Sequence, residues 1–462
     1  MPDGAENSYD LVVLGGGSGG YAAALRAAGL GLSVALIEKA QVGGTCLHRG
    51  CIPTKALLHT GAVADAAREA RNFGVRSTFA GVDMAGVTAY KDGVVGQLYR
   101  GLQGTLKARG VHVVNGEGRV VSPHEVVVAQ SILRGRHILL ATGSEPASLP
   151  GLQMDGERIL SSEQALELDH VPGSVVVLGG GVIGCEFASL WRSLGAEVTI
   201  IEALPHLLPT EDEDVSKLLE RAFRRRGIAF HLNSRLEQAA HTDSGVRVIT
   251  TSGTRIDADL LLVAVGRRPV SAGLGYEAAG VELDRGYVKV DDLCRSSVPS
   301  ISAVGDLIQT PQLAHVGFAE GILVAERLAG LGPAPVHYDG VPRITYSQPE
   351  VAAVGLTEAQ AKERYGADKV MTMRQNLVSN GKSKILKTPG EIKVVRQKDG
   401  PVVGVHMVGE RVGELIGEAQ LIVNWEALPD EVAPLIHAHP TQTEILGEVH
   451  LALAGKPLHA HE

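Results

Sequence analysis

A glycine-rich turn occurs twice in this chain, and the second copy repeats the first at a fixed distance. Residues 9–38 run from an apolar stretch starting at Tyr9 into GGGSGG, where Gly15, Gly17 and Gly20 have GxGxxG spacing. An alanine-rich helical stretch, a second apolar run and Glu38 follow. Residues 174–202 give the same order: SVVVL, GGGVIG with Gly179, Gly181 and Gly184, a helical stretch, EVTII and Glu202. The first glycines and the closing acids share one offset (179 − 15 and 202 − 38 both give 164). A strand–turn–helix–strand–acid unit lets the backbone approach a pyrophosphate at a helix N-terminus, while the acid accepts from ribose hydroxyls. A bare glycine turn is the plain alternative for either copy alone. Two accidents would not match in both intervals, so the chain is expected to hold two dinucleotide-binding folds in an α/β architecture.

Between the copies' outer limits lies Gly43–Lys55, GGTCLHRGCIPTK, which carries two of the four cysteines with four residues between them. On a straight helix five steps separate two backbones by about 7.5 Å along the axis, and a disulfide rarely tolerates Cα atoms more than about 7 Å apart. A bond between Cys46 and Cys51 therefore requires a bent turn, and Gly50 is expected to provide the freedom to bend. A bridge on such a turn is easier to reduce than a structural one. Pro53 suits the first turn of a helix that continues through Ala56, Leu57 and Leu58. The helix dipole and Lys55 would both lower a nearby thiol's pKa, favouring Cys51 as thiolate. Two ordinary buried cysteines are the alternative; a metal site is disfavoured because the chain has no CxxC pair.

The bulk properties narrow the setting. With 462 residues, 44% of them hydrophobic, and 57 glycines, the chain suits several compact α/β domains with many tight turns. A formal charge of −9 argues against nucleic acid or an anionic membrane as main partner. The start MPDGAENSYD is acidic and polar, unlike a signal or transit peptide. No apolar run approaches the roughly 20 residues of a membrane span. A cytoplasmic protein is expected, and in that compartment a disulfide is more often catalytic than structural.

GGTCLHRGCIPTK resembles the redox-disulfide signature of the flavoprotein disulfide reductases, most closely the dihydrolipoamide dehydrogenases. His48-Arg49 stand where that family usually has Asn-Val or Asn-Arg. The likeness runs from about Tyr9 to Glu448 and implies a glutathione-reductase-like fold: two Rossmann-like domains and a C-terminal α/β dimerisation domain. The expected division is 1–148 for FAD, 149–270 for NAD, 271–343 returning to the FAD-binding fold, and 344–462 for the interface. The resemblance makes Cys46 the thiol that exchanges with substrate and Cys51 the one facing the flavin. The redox pair lies eight residues after Glu38, which gives FAD to the first glycine unit and the nicotinamide to the second. Glu202 favours NAD, because a carboxylate there would repel a 2′-phosphate, and ALPHLLPT after it has no arginine to attract one.

The same resemblance assigns further contacts. Gly43, Thr45, Gly118, Thr142, Gly143, Ser144, Asp306 and Ala314 (with His315 beside it) go to the flavin side. Ile183, Glu186 and Gly266 complete the cofactor set around the second turn, and Lys55–Glu186 is expected as an ion pair beside the flavin. Taken alone, Gly118 reads as a turn glycine, Asp306 as a cap for the helix that follows, and Glu186 as a helix-dipole partner. Val182 stands where glutathione-reductase relatives often carry a gating tyrosine. Residues 60–110 read as helical, 111–140 as short strands, SEPASLPG (144–151) as a linker, and 260–269 and 301–306 as strands with turns.

The informative stretch of the last third is HAHPTQTE, 437–444. Pro440 biases His439 away from helix, and Thr441–Glu444 matches a capping box. The resemblance gives instead a His-Pro-Thr-x-x-Glu motif in which Glu444 orients His439 as acid–base catalyst toward the partner subunit's disulfide, with His437 as a competitor. Histidine suits this work because its unperturbed pKa lies near neutrality. Cys185 and Cys294 have no partner in sequence and are expected to be inert. The reading is therefore a homodimeric, NAD-linked enzyme serving a lipoyl-bearing acyltransferase subunit of a 2-oxo acid dehydrogenase complex. The alternatives are an NADPH-dependent reductase of a small disulfide such as glutathione or mycothiol, and a purely structural subunit of such a complex.

Overall fold

The computed structural model describes residues 7–459; most of the acidic leader and the end of the tail lie outside it. The chain forms two compact units. The first comprises 1–57, 83–147 and 266–338, and the second 58–82, 148–265 and 339–462.

The first unit is built on a seven-stranded sheet. Its parallel half orders His112–Asn115, Val34–Glu38, Ser8–Leu14 and Ser131–Leu140, with Ile301–Ala303 also parallel to the last of these. Leu11, Val12 and Val13 are fully buried, as are Ala35, Leu36 and Ile37, so these strands read as continuous apolar runs because both faces are covered. Gly118–Ser122 and Glu125–Val128 extend the sheet antiparallel.

The second unit repeats the parallel core. Its sheet orders Ile228–His231, Glu197–Ile201, Ser174–Leu178, Leu260–Val263 and Ile159–Ser161. A three-stranded meander, 236–258, adjoins it in sequence, and a five-stranded antiparallel sheet, 343–409, forms the remainder with the helices Val412–Asn424 and Glu444–Leu453. The expected duplication and the strands in the last third are both present. In each parallel sheet the strand order reverses beside the glycine turn, which is where such sheets bind ligands.

Two expectations change. The helical stretch 60–110 is broken: one helix, Cys51–Glu69, ends in a short 3-10 turn at Phe73, and the next begins only at Met84. Gly118 is no turn residue. It opens a strand, and an added Cβ would lie 2.5 Å from Leu14 Cδ1, so its lack of a side chain serves core packing. Among the described residues no helix is long and apolar enough to cross a membrane.

Candidate active site

The first glycine turn is shaped by close approach. Gly15 has φ 107°, and a Cβ on it would sit 2.2 Å from the Ala141 carbonyl oxygen; one on Gly20 would sit 1.9 Å from that of Gly15. Gly17, by contrast, is the N-cap of the helix Ser18–Gly29 and faces open space. Glu38 closes the turn by accepting the Gly16 and Ala40 N–H groups, each at 2.8 Å, one on each carboxylate oxygen. Each oxygen keeps a further lone pair for a ribose hydroxyl. The second unit has the same parts. Gly179 and Gly184 approach Ala264 and Gly179 carbonyls, Gly181 faces open space, and Glu202 accepts from Gly180 at 2.6 Å and Leu204 at 2.8 Å. Both cradles fit a dinucleotide pyrophosphate: the only glycines a side chain would not clash with are the ones facing outward at a helix N-terminus.

The cysteine segment rests on the first turn. Gly43 N–H donates to Gly16 O at 2.8 Å, and a Cβ on Gly44 would come 2.6 Å from Gly17 Cα. A short helix, Gly44–His48, carries Thr45 and Cys46; Cys51 is the first residue of the next helix. The bend between them does not use a left-handed Gly50. That glycine is needed because a Cβ would press to 3.0 Å on the Thr45 carbonyl oxygen. His48 ties the loop back through its Nε2 to Val42 O at 2.9 Å, with its ring edge-on to Tyr99.

Cys46 and Cys51 are half-buried free thiols joined by a hydrogen bond. That bond to Cys51, then burial and the charge of Cys51, push the Cys46 thiol far up, against the pull of Lys55; Asp306 adds to the push. Cys51 opens the helix Cys51–Glu69, and a helix N-terminus favours a thiolate over a thiol. Tyr21 belongs to the same pocket: burial and the charges of both cysteines push its hydroxyl up to about 12.

The strand ends opposite are tightly bonded. Thr142 Oγ1 donates to Val270 O at 2.6 Å, and Gly143 has φ 69°. Ser144 Oγ lies 2.5 Å from Asp306 Oδ2, and Arg267 donates to Ser144 through Nε at 2.7 Å and Nη2 at 2.8 Å. Asp306 sits in a 3-10 turn and pairs sideways with Ser144 rather than capping the next helix. Fully buried Glu320 accepts the Gly305 N–H at 2.6 Å and the Tyr338 hydroxyl at 2.9 Å; burial holds its carboxyl above the usual range. Ala314 opens the helix Ala314–Leu328, whose N-terminus has no side-chain cap.

In the second unit Ile183 lies in the first turn of the helix Val182–Leu194, and Val182 is exposed. Glu186 is buried and accepts the Tyr346 N–H at 3.0 Å. Lys55 and Glu186 fall in different units, and Gly266, with φ 119°, begins the return to the first. His439 Nδ1 lies 2.8 Å from Glu444 Oε1, while Glu444 Oε2 accepts the Thr441 N–H at 2.8 Å. Burial pushes the Glu444 carboxyl up, but Thr441 and His439 outweigh it and hold it below its ordinary value. The helix begins at Glu444 with Thr443 as N-cap, so the capping box expected at Thr441 is only half formed. His437, largely buried, is committed to Glu418 at 2.7 Å, which removes it as a competitor for the exposed role. Cys185 and Cys294 are buried, with Cys294 pushed up to about 12 and Cys185 further, mainly by burial.

Sequence reasoning missed Gly44, Tyr21, Arg267 and Glu320. Gly44 follows a glycine already singled out, and Arg267 follows Gly266, but nothing local in sequence signals Tyr21 or Glu320.

Residues 9–321 match the family described as pyridine nucleotide-disulphide oxidoreductase, and 341–450 match its dimerisation domain. The chain belongs to this family. It is 38% identical to a dihydrolipoyl dehydrogenase of Bacillus subtilis, over 98% of this chain and 99% of the relative. A leghemoglobin reductase of Vigna unguiculata is also 38% identical, over 98% and 88%. Among solved structures, LpdA of Mycobacterium tuberculosis has a TM-score of 0.90 at 29% identity, covering 96% of this chain and 99% of that one. The Cu(II) complex of the HOCl-induced flavoprotein disulfide reductase RclA of Escherichia coli has 0.88 at 27%, covering 97% and 100%. The expected fold class and family are thus borne out. This member is a flavoprotein disulfide oxidoreductase, the family's cofactors are FAD and NAD(H), and its second matched segment supports a homodimer.

Proposed function

We propose that this oxidoreductase is a dihydrolipoamide dehydrogenase, oxidising a protein-borne dihydrolipoyl group with NAD⁺ within a 2-oxo acid dehydrogenase complex. The observation that carries the reading is the pair of neighbouring half-buried thiols, Cys46 in the short helix on the first glycine turn and Cys51 at the start of the next helix. In the oxidised enzyme the two sulfurs form a bridge. A substrate thiol gives its proton to Nε2 of His439 from the partner subunit, and its sulfur attacks Cys46 Sγ. The Cys46–Cys51 bond breaks and Cys51 leaves as thiolate. The second substrate thiol then attacks the first substrate sulfur, closing lipoamide and releasing Cys46, which takes that second thiol's proton; the products are lipoamide, the Cys46 thiol, the Cys51 thiolate and a protonated His439. Two electrons, the equivalent of one hydride, thus reach the protein per substrate. Bound FAD supplies the two-electron relay from the dithiol to NAD⁺.

Around it, Gly15, Gly17, Gly20, Glu38, Gly43, Thr45, Thr142, Gly143, Ser144, Asp306 and Ala314 would hold FAD, with Gly118 packing behind them. Gly179, Gly181, Ile183, Gly184, Glu202 and Gly266 would hold NAD. Lys55 would add positive charge beside the cysteine pair, and Glu186 belongs to the proposed NAD set. The blocks 1–148, 149–270, 271–343 and 344–462 are assigned to FAD binding, NAD binding, return to the FAD fold, and dimerisation. Because about 30 mV corresponds to roughly 1.4 kcal/mol for two electrons, small charge changes beside Cys51 set the direction of flow. Cys51→Ser is expected to abolish dihydrolipoamide turnover while FAD stays bound, read by absorbance and a lipoamide assay; normal turnover in that variant refutes the mechanism. Faster reduction by NADPH than by NADH in stopped flow would favour a small-disulfide reductase instead.

A further inference from the structure

Asn380 is a buried amide at the N-cap of the short helix Gly381–Leu386. Its Oδ1 accepts the Ser383 N–H at 2.9 Å and the Ser383 hydroxyl at 3.2 Å. Its Nδ2 donates in the other direction, to the Thr441 carbonyl at 2.9 Å. From Thr441 the bonds continue: its N–H donates to Glu444 Oε2, and Glu444 Oε1 takes His439 Nδ1. The imidazole itself is exposed, with 76% of its side-chain surface open. A ring so open keeps its aim only through what holds its partner. Gly381 adds a shelf, since a Cβ there would stand 3.8 Å from His439 Cε1 and 3.9 Å from Pro440 Cβ.

Capping alone does not require asparagine, because aspartate or serine caps a helix as well. An ionised aspartate could accept from Ser383 but not donate to Thr441, whereas the Asn380 amide does both through separate atoms, Oδ1 and Nδ2. We propose that Asn380 is a positioning residue for His439, acting through Thr441 and Glu444 by pinning the carbonyl of Thr441, the residue whose N–H orients the Glu444 carboxylate. The inference rests on the acid–base reading of His439 given above. A base displaced by a fraction of an ångström loses much of its contribution, since misplacement by about 1 Å can cost 10²-fold.

Asn380→Asp keeps the acceptor for Ser383 and removes the donor to Thr441. It is expected to lower kcat for dihydrolipoamide about tenfold at unchanged KM, and to raise the solvent deuterium isotope effect on kcat, because proton transfer becomes more rate-limiting. FAD content and NADH-driven ferricyanide reduction, which bypass the dithiol chemistry, are expected to stay at wild-type level. Ser383→Ala removes only the cap-side hydroxyl and is expected to keep wild-type kcat. Wild-type kcat and isotope effect in Asn380→Asp overturn the proposal. So does an equal loss in ferricyanide reduction, which marks a merely structural role, or an equal loss in Ser383→Ala. His439→Gln separates the two levels. Normal dihydrolipoamide turnover in that variant sinks the acid–base reading itself, whereas a crippled His439→Gln beside a normal Asn380→Asp sinks only the positioning role.

Discussion

The two glycine turns are built alike and end differently. In both, the loop after the acid returns to the carbonyl of the second glycine: Gly43 N–H reaches Gly16 O at 2.8 Å, and Leu208 N–H reaches Gly180 O at 2.8 Å. In the first turn the returning residue is glycine and another follows, which lets the cysteine helix lie directly on Gly17. In the second, Leu207 and Leu208 are buried, and a Cβ on Gly180 would already meet Leu207 Cδ2 at 2.6 Å. The same phosphate cradle is therefore opened toward sulfur in one copy and sealed with leucine in the other. Two residues at the return point distinguish them.

Substitution at matched positions tests that division of labour. Gly20→Ala and Gly184→Ala would each force a Cβ to 1.9 Å from a carbonyl oxygen. The first is expected to give protein without flavin. The second is expected to stay yellow with its KM for NAD⁺ raised at least about 100-fold, since the cradle can no longer approach the pyrophosphate. Loss of colour in both would mean the copies do not divide the nucleotides.

A smaller contrast lies in the pH response. Burial lowers His450 in the second unit from 6.5 to about 4, so the unfolded chain takes up a proton that the folded one refuses. Stability from this group is present above pH 6.5 and is lost as pH falls toward 4, on the order of 3 kcal/mol. Glu320 in the first unit is raised by burial, so its contribution has the opposite sign: present at low pH and fading as pH rises through its folded value. His450→Gln should flatten the acid limb of thermal denaturation between pH 6.5 and 4; an unchanged limb removes His450 as its cause.

The smallest effect is expected at the acids. Glu202→Gln should narrow the preference for NAD⁺ over NADP⁺ about tenfold in kcat/KM, a matter of roughly 1.4 kcal/mol. Glu38→Gln should leave that ratio unmoved. A change of equal size in Glu38→Gln would show that the ratio does not report on the second cradle.

What could be read from the sequence was what local chemistry fixes. The glycine spacings, the acids, the cysteine pair and the proline after His439 each carry their reason within a few residues. Gly118 misled because its cause is Leu14, more than a hundred positions away in the chain. Gly50 was expected for its backbone freedom and is needed instead for a close approach to Thr45. The bridge from Asn380 to Thr441 joins residues 61 positions apart, and the cap at Thr441 is half made because its hydroxyl is engaged with the Ala438 carbonyl and Thr443 Oγ1. The break before Met84 is marked by Gly74, left-handed at the end of the 3-10 turn, and by Asp83 as N-cap of the next helix. The helical reading of 60–110 passed over both signals, and the chain changes units there.

Glu38 spends one lone pair of each oxygen on its own backbone before any ligand arrives. Its carboxylate cannot swing to greet a ribose, and need not. The shape that recognises the sugar exists in advance, so little side-chain freedom remains to be surrendered on association. A tight, slowly released nucleotide is the natural companion of so rigid a receptor.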